Sequence, residues 1–297
     1  MAQKVRKALI PAAGYGTRFL PATKALPKEM LPVVDKPVIQ YIVEDAVSAG
    51  AEDIIVVTGW FKKALEDHFD YPFELETRLL ESGKTKELES IRKIADTANF
   101  FYLRQRGPLG NGTPVLNAKD LIGDEPFFLL SADDIFVASP TRCQQIAEVY
   151  EKYNAPVIAT VKKNTPEDYK RYGFVEGEEV EPGVIKVTKI VEKPGPGKTT
   201  SQMAVVFSGI FTPDLFPALQ EARAEFDKSG RKDEFVIWEG VNKLLAQGKP
   251  LYAKEIQDGK YYDCGNKLEY MKANIEFGLK DQELGKDLSE YLKNLKI

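Results

Sequence analysis

The sequence predicts an α/β fold, a Rossmann-like mixed and mainly parallel sheet flanked by helices, and three observations carry that prediction. Short, near-continuous apolar runs alternate with helical patterns through the first half of the chain, as strands buried on both faces require. Beyond Val161 the pattern changes to short strands around Gly and Pro turns, which adds a small and partly antiparallel β excursion. From Lys267 the chain is periodic, with Leu, Ile and Tyr on one side, and reads as two helices covering the sheet or a neighbouring subunit.

Taken in order, "KALIPA" supplies a strand over Lys7 to Pro11, "VIQYIVEDAVSAG" a helix, "DIIVVTG" a strand and "FKKALEDHF" a helix. Residues 74–98 read as two charged helices around Ser82-Gly83, an excursion from the sheet. The alternation resumes with "NFFYLRQ", a short helical stretch near "TPVLNAKDL", the strand "PFFLLSADD", the helix "TRCQQIAEVYEKY" and the strand "PVIATVK". Short strands follow within "YGFVEGEEVEPGVIKVTKIVEKP" and "MAVVFSGIFTP", then two helices near 213–225 and 235–247. No repeat, low-complexity tract or linker forces a cut, so residues 1–297 are expected to form one domain.

Composition excludes several function classes. Lys plus Arg is 41 against 45 for Asp plus Glu, a net charge of −4, so no overall basic field exists to hold nucleic acid or an anionic membrane. No run approaches membrane-span length, and the short apolar run of "MAQKVRKALIPAAG" ends in glycines where a signal peptide would continue. Cys143 and Cys264 are too few for a disulfide framework and too far apart for a zinc motif, which fits a reducing cytoplasm. A single histidine, His68, removes most mechanisms built on a Ser-His-Asp triad or a poly-His metal site.

Any phosphate ligand must therefore meet a local cluster, and "AAGYGTR" directly after the first strand is the candidate. A dinucleotide fingerprint would need glycine where Phe19 stands, and a P-loop would need Gly-Lys-Ser/Thr, which is absent. Two glycines alone would make only a tight turn. Arg18, Lys24, Lys28 and Lys36 follow, with prolines expected to hold the intervening chain extended and to return several cations toward one loop. "FFLLSADDIF" ends a strand on Asp133 and Asp134, and adjacent carboxylates at a strand end repel unless a cation or donors satisfy them.

With "YIVEDAVSAGAEDIIVVTG" and "EDHFD", "GYGTRFLPATKALPKEMLPVVDKP" resembles the signature of sugar-nucleotide pyrophosphorylases, nucleotidyltransferases that join a nucleoside triphosphate to a sugar 1-phosphate. The resemblance runs over nearly the whole chain. It implies a UTP donor, glucose 1-phosphate as acceptor, UDP-glucose and pyrophosphate as products, and in-line attack assisted by Mg2+. It also implies a nucleotide-binding part at about 1–140, a sugar-binding part at about 141–265, a C-terminal helical part at about 266–297, and a homodimer or homotetramer. By resemblance, Asp133 and Asp263 of "YYDCGNK" bind the metal, and Arg18, Lys28 and Lys193 are the catalytic cations. Ala12, Ala13, Gly14, Glu29, Gln105 and Gly110 serve the nucleotide, while Gly173 of "YGFVE" and Glu192 of "VEKP" serve the sugar. The chain departs from the family pattern where "LGDD" reads "SADD", "PLGLGHAV" reads "PLGNGTPV", "GRY" reads "FSG" at 207–209, "GEIQLTD" reads "DEFVIWEG" at 233–240, and "GDK" reads "GNK". Most of these are assigned to the sugar side, which leaves other sugar 1-phosphates, dTTP, and a catalytically silent sugar-nucleotide regulator as rival readings.

Overall fold

A computed structural model describes residues 2–295; Met1 and residues 296–297, the ends of the expected domain and of its C-terminal helical part, lie outside the described residues. The first half alternates β1 (Lys7–Pro11), the short ribbon of β2 (Pro32–Val33) and β3 (Lys36–Pro37), α1 (Val38–Ser48), β4 (Asp53–Thr58), α2 (Lys63–His68), α3 (Phe73–Glu81), α4 (Thr85–Ala95) and β5 (Asn99–Arg104). It continues through α5 (Gly112–Asn117), α6 (Lys119–Ile122), β6 (Phe127–Leu130), β7 (Asp134–Ala138), α7 (Arg142–Tyr153) and β8 (Val157–Lys162). The remainder is α8 (Asp168–Arg171), β9 (Phe174–Glu181), β10 (Val184–Val191), β11 (Met203–Phe211), α9 (Leu215–Ser229), α10 (Ile237–Ala246), β12 (Tyr252–Glu255), β13 (Gly259–Asp263), α11 (Lys267–Lys280) and α12 (Gly285–Asn294).

Nine strands form one sheet in the order β5-β4-β1-β6-β11-β8-β12-β10-β9. Its first four strands are mutually parallel, and from β11 onward the pairings are antiparallel except for β12 with β8, so the sheet is mixed with most of its parallel part in the N-terminal half. The apolar runs are continuous because alternate side chains enter different cores: Ala8 and Ile10 join one, Leu9 the other. Phe128 and Leu130 separate in the same way from Phe127 and Leu129. Helices α1 and α7 cover the first face and α5, α9 and α10 the second.

Parallel pairing puts the carboxyl ends of β5, β4, β1 and β6 along one edge, where ligands of open α/β sheets bind. The ribbon of β7 and β13 stands beside that edge, its register ending on the pair Asp134 and Asp263. Two acids far apart in sequence thus become cross-strand neighbours.

Candidate active site

The glycine loop is a chain of tight turns. Three one-turn 3-10 helices, Thr17–Phe19, Ala22–Lys24 and Lys28–Met30, replace the extended chain expected from the prolines, because each proline opens or closes a turn. Gly16 sits at φ +64, and the Thr23 hydroxyl donates to its carbonyl at 2.7 Å, so the loop folds back on itself. A Cβ on Gly16 would stand 3.1 Å from the Lys28 Cβ, and one on Gly14 4.0 Å from its Cε. The glycines therefore make room for the Lys28 stem, whose ammonium reaches the Asp133 carboxylate. Of the four loop cations, Lys28 and Arg18 face this centre, Arg18 through Nη1 on the Gly265 carbonyl at 3.4 Å. Lys36 instead binds Glu44 on α1 at 2.8 Å, and Lys24 is exposed.

Asp133 and Asp263 converge over Gly265. A Cβ there would lie 2.5 Å from Asp133 Oδ2 and 3.0 Å from Asp263 Oδ1. Ser131 donates to Asp133 Oδ1 at 2.7 Å, the Gly265 amide donates to Asp263 Oδ1 at 3.0 Å, and Arg171 binds Asp263 Oδ2 at 2.9 Å. Burial works against the charge of Asp133, yet the Lys28 ammonium holds its carboxyl below the usual range. Burial and the Asp133 charge raise Asp263, and burial with both neighbouring carboxylates pushes Asp134 up to about 7. Lys28 is itself half-buried, but Asp133 and Glu29 drive it up to about 12, so it stays charged. Among the described residues no group of three or more His, Cys, Asp or Glu forms a self-sufficient metal cage. Two carboxylates on an open rim are the donor set that suits Mg2+, which takes one or two protein carboxylates and completes its shell with substrate phosphate oxygens and water.

Gly265 was legible only as part of a departing motif, and the structure shows no room there for a side chain. Its backbone is not left-handed, so a methyl group acts purely by collision with the two carboxylates. Gly265→Ala is expected to raise the half-saturating Mg2+ concentration at least about tenfold, the range for displacing groups that orient metal ligands, with a near-normal circular dichroism spectrum. A metal titration of turnover checks it.

Glu29 is not at the ligand surface. It is fully buried with Lys62, whose ammonium binds Glu29 Oε2 at 2.6 Å beneath the loop, so its expected place beside the nucleoside is corrected to a support under it. Burial raises Glu29 and lowers Lys62, each favouring its neutral form. Lys62 was invisible in "FKKAL", where nothing separates it from the exposed Lys63 beside it.

Ala12 and Ala13 follow β1 at the ligand edge, Ala12 donating to Val57 O at 2.8 Å. Gln105 follows β5, its backbone on Thr58 O at 3.0 Å and its amide 3.4 Å from the Pro108 carbonyl. Gly110 is at φ +121, and a Cβ there would lie 2.1 Å from the Phe235 carbonyl oxygen. Phe235 donates to Leu109 O at 2.9 Å and accepts from Gly112 N at 3.0 Å, while Asn111 Oδ1 accepts from Ile237 N and caps α10 at 2.9 Å. The departing segments 111–114 and 233–240 are thus partners, and they brace the loop of Gln105 and Gly110.

On the far side, Arg171 ties Asp263 to the strand entrance at which Gly173 lies. A Cβ on Gly173 would stand 2.8 Å from Glu192 Oε2, which brings the expected sugar residues together. Lys193 follows, exposed, at φ 42 with its ammonium 3.5 Å from Glu192. A lysine in left-handed backbone is strained, and such strain gathers at functional sites. The departures do not crowd this side. Ser131 orients Asp133, Asn266 caps α11 through Leu268 N at 2.9 Å as the expected aspartate would, and Ser208 lies behind Asp134.

The nucleotidyl transferase family model matches residues 7–278. The chain belongs to that family. A UTP–glucose-1-phosphate uridylyltransferase of Bacillus subtilis (strain 168) is 44 % identical over 293 residues, spanning 99 % of this chain and 98 % of the relative. A UDP-glucose pyrophosphorylase solved with UDP-glucose is 39 % identical at TM-score 0.82, covering 93 % of this chain and all of that one. A UTP-bound UGPase from Acinetobacter baumannii is 33 % identical at TM-score 0.88, covering 98 % and 100 %. These nucleotidyl transferases are similar in sequence and in fold over nearly their full length. No helix among the described residues is long and apolar enough to cross a membrane.

Proposed function

We propose that this protein transfers the uridylyl group of UTP to glucose 1-phosphate, releasing pyrophosphate and UDP-glucose. The observation that carries it is the convergence of Asp133 and Asp263 over Gly265, at the rim to which the glycine loop brings Arg18 and Lys28. In-line attack of the sugar phosphate oxygen on the α-phosphorus needs positioning and charge, not a covalent enzyme intermediate, so scarcity of His and Cys is no obstacle. The backbone of Ala12, Ala13 and Gly14 lies beside the nucleoside, Gln105 and Gly110 take the edge of the uracil ring, and Gly173 and Glu192 hold sugar hydroxyls. Lys193 orients the attacking phosphate, while Arg18 and Lys28 hold the leaving pyrophosphate. Asp133 and Asp263 hold Mg2+, which when bound neutralises charge on the α-phosphate.

The two free buried cysteines suit a reducing cytoplasm. Leu268, Met271, Ile275 and Leu279 lie exposed along α11 and support a homodimer or homotetramer.

A Mg2+-dependent pyrophosphate-release screen of UTP and dTTP against glucose, galactose, glucuronate and amino-sugar 1-phosphates tests this reading. UTP with glucose 1-phosphate is expected to be the fastest pair, and a faster other pair moves the specificity. Lys193→Ala is expected to lower kcat about a hundredfold with the protein folded. Near-normal turnover in steady-state kinetics removes Lys193 from the chemistry.

A further inference from the structure

Behind the acidic centre lies a cation that neither the motifs nor the proposed chemistry uses. Arg142, the first residue of α7, is 1 % exposed. Its Nε lies 2.9 Å from Asp45 Oδ2 on α1, and its Nη1 donates to Ser208 Oγ at 2.9 Å and approaches the Asp134 carbonyl at 3.4 Å. Its guanidinium also stands 4.8 Å from the centre of the Phe136 ring, and its Nη2 has no hydrogen-bond partner. A buried arginine is costly unless charge opposes it. Here the opposing charges are Asp45, which tethers it, and Asp134, the cross-strand partner of Asp263 and sequence neighbour of Asp133.

Ser208, on β11, accepts a hydrogen bond from this arginine, which arrives from another element. Ser208 pairs with Leu130 at the end of β6, so Arg142 joins β11 to the Asp134 carbonyl, one residue beyond Asp133. Lys28 answers the charge of Asp133 and Arg171 that of Asp263, leaving Arg142 as the cation packed beneath Asp134.

We propose that Arg142 is a positioning residue for the metal-binding acids: from the start of α7 its guanidinium braces the backbone at Asp134, next to Asp133 and cross-strand from Asp263. This inference rests on the uridylyl-transfer reading. It predicts an exchange, because the Ser208 hydroxyl is in hydrogen-bond contact with the guanidinium and an arginine at 208 reaches the same space once Arg142 is gone.

The test compares Arg142→Ser, Ser208→Arg and the double variant with wild type. It follows thermal midpoint, kcat, and the Mg2+ dependence of UTP binding by calorimetry. Arg142→Ser is expected to weaken Mg2+-dependent UTP binding and lower kcat about 10–100-fold, the usual cost of losing a group that orients metal ligands. Ser208→Arg alone puts two guanidinium groups in one buried site and is expected to lose activity as well. The double variant is expected to recover most of kcat and of the Mg2+ dependence. Wild-type Mg2+ dependence in a folded Arg142→Ser overturns the proposal, as does a double variant that regains its melting temperature but not its Mg2+ dependence. Arg142→Lys covers the case in which the serine variant fails to fold: it keeps the charge, and an unchanged Mg2+ dependence shows that guanidinium geometry is not required. Absence of uridylyl transfer in the wild type would instead defeat the functional reading, while calorimetry still reports on the placement of the acids.

Discussion

Asp133→Asn is expected to lower kcat for uridylyl transfer by about a thousandfold, toward the upper end of what removal of one preorganised charge contact costs. The reason is geometric as well as electrostatic. Asp133 is the one residue that meets the glycine loop through Lys28, its own strand through Ser131, and the second acid across Gly265. Asparagine keeps the shape and one acceptor, but it removes the charge that holds Lys28 and that the proposed Mg2+ site needs. The Lys28 ammonium is then left partly buried with weaker compensation, so the loop should become more mobile while the sheet stays intact. Steady-state kinetics with a Mg2+ titration, beside circular dichroism, measures both halves. A folded variant with kcat within tenfold of wild type would remove Asp133 from the proposed metal site.

Lys62→Met is expected to destabilise the protein by about 3–5 kcal/mol, the cost of leaving one member of a buried ion pair without its partner. Glu29 would then be a fully buried carboxyl with no cation bonded to it and only the nearby Lys28 charge for compensation, its Oε1 already lacking a hydrogen-bond partner. Burial raises Glu29 even with Lys62 present, and without the ammonium the rise is larger. A group raised in the folded state contributes fully only below its unfolded value, here 4.5, and that contribution is lost as pH climbs through the folded value. The variant should therefore lose more stability at pH 8 than at pH 5. Replacing both residues, Glu29→Leu with Lys62→Met, removes the unpaired charge and is expected to recover most of the loss. Denaturant unfolding at the two pH values checks the sign. A double variant no more stable than Lys62→Met would show that the pair does not act as a unit.

The strands and helices were legible because they rest on local pattern. The first strand runs over Lys7–Pro11 as expected, the charged excursion splits at Ser82-Gly83, and the chain from Lys267 forms two helices. The prolines of the glycine loop misled in one respect. They were expected to extend the chain, but φ near −65° serves a 3-10 turn equally well, and the hydrogen bond from Thr23 to Gly16 selects the turn. Lys36 was expected to turn toward the loop and does not, because Glu44 lies one helical turn or two away and captures it.

By itself the sequence determined the residue types that the chemistry calls for: glycines after a strand, cations behind them, acids closing two later strands, and the family to which these belong. Only the tertiary structure decided which of these meet. It set Asp263 opposite Asp134 by ribbon register, sank Glu29 onto Lys62, moved the departing segments from the sugar side to the acids and the base loop, and brought Arg142 to Ser208. The physical reason is range. Pattern and propensity act over a few residues, whereas charge pairing, register and close packing act between segments that only the folded sheet brings within a few ångströms.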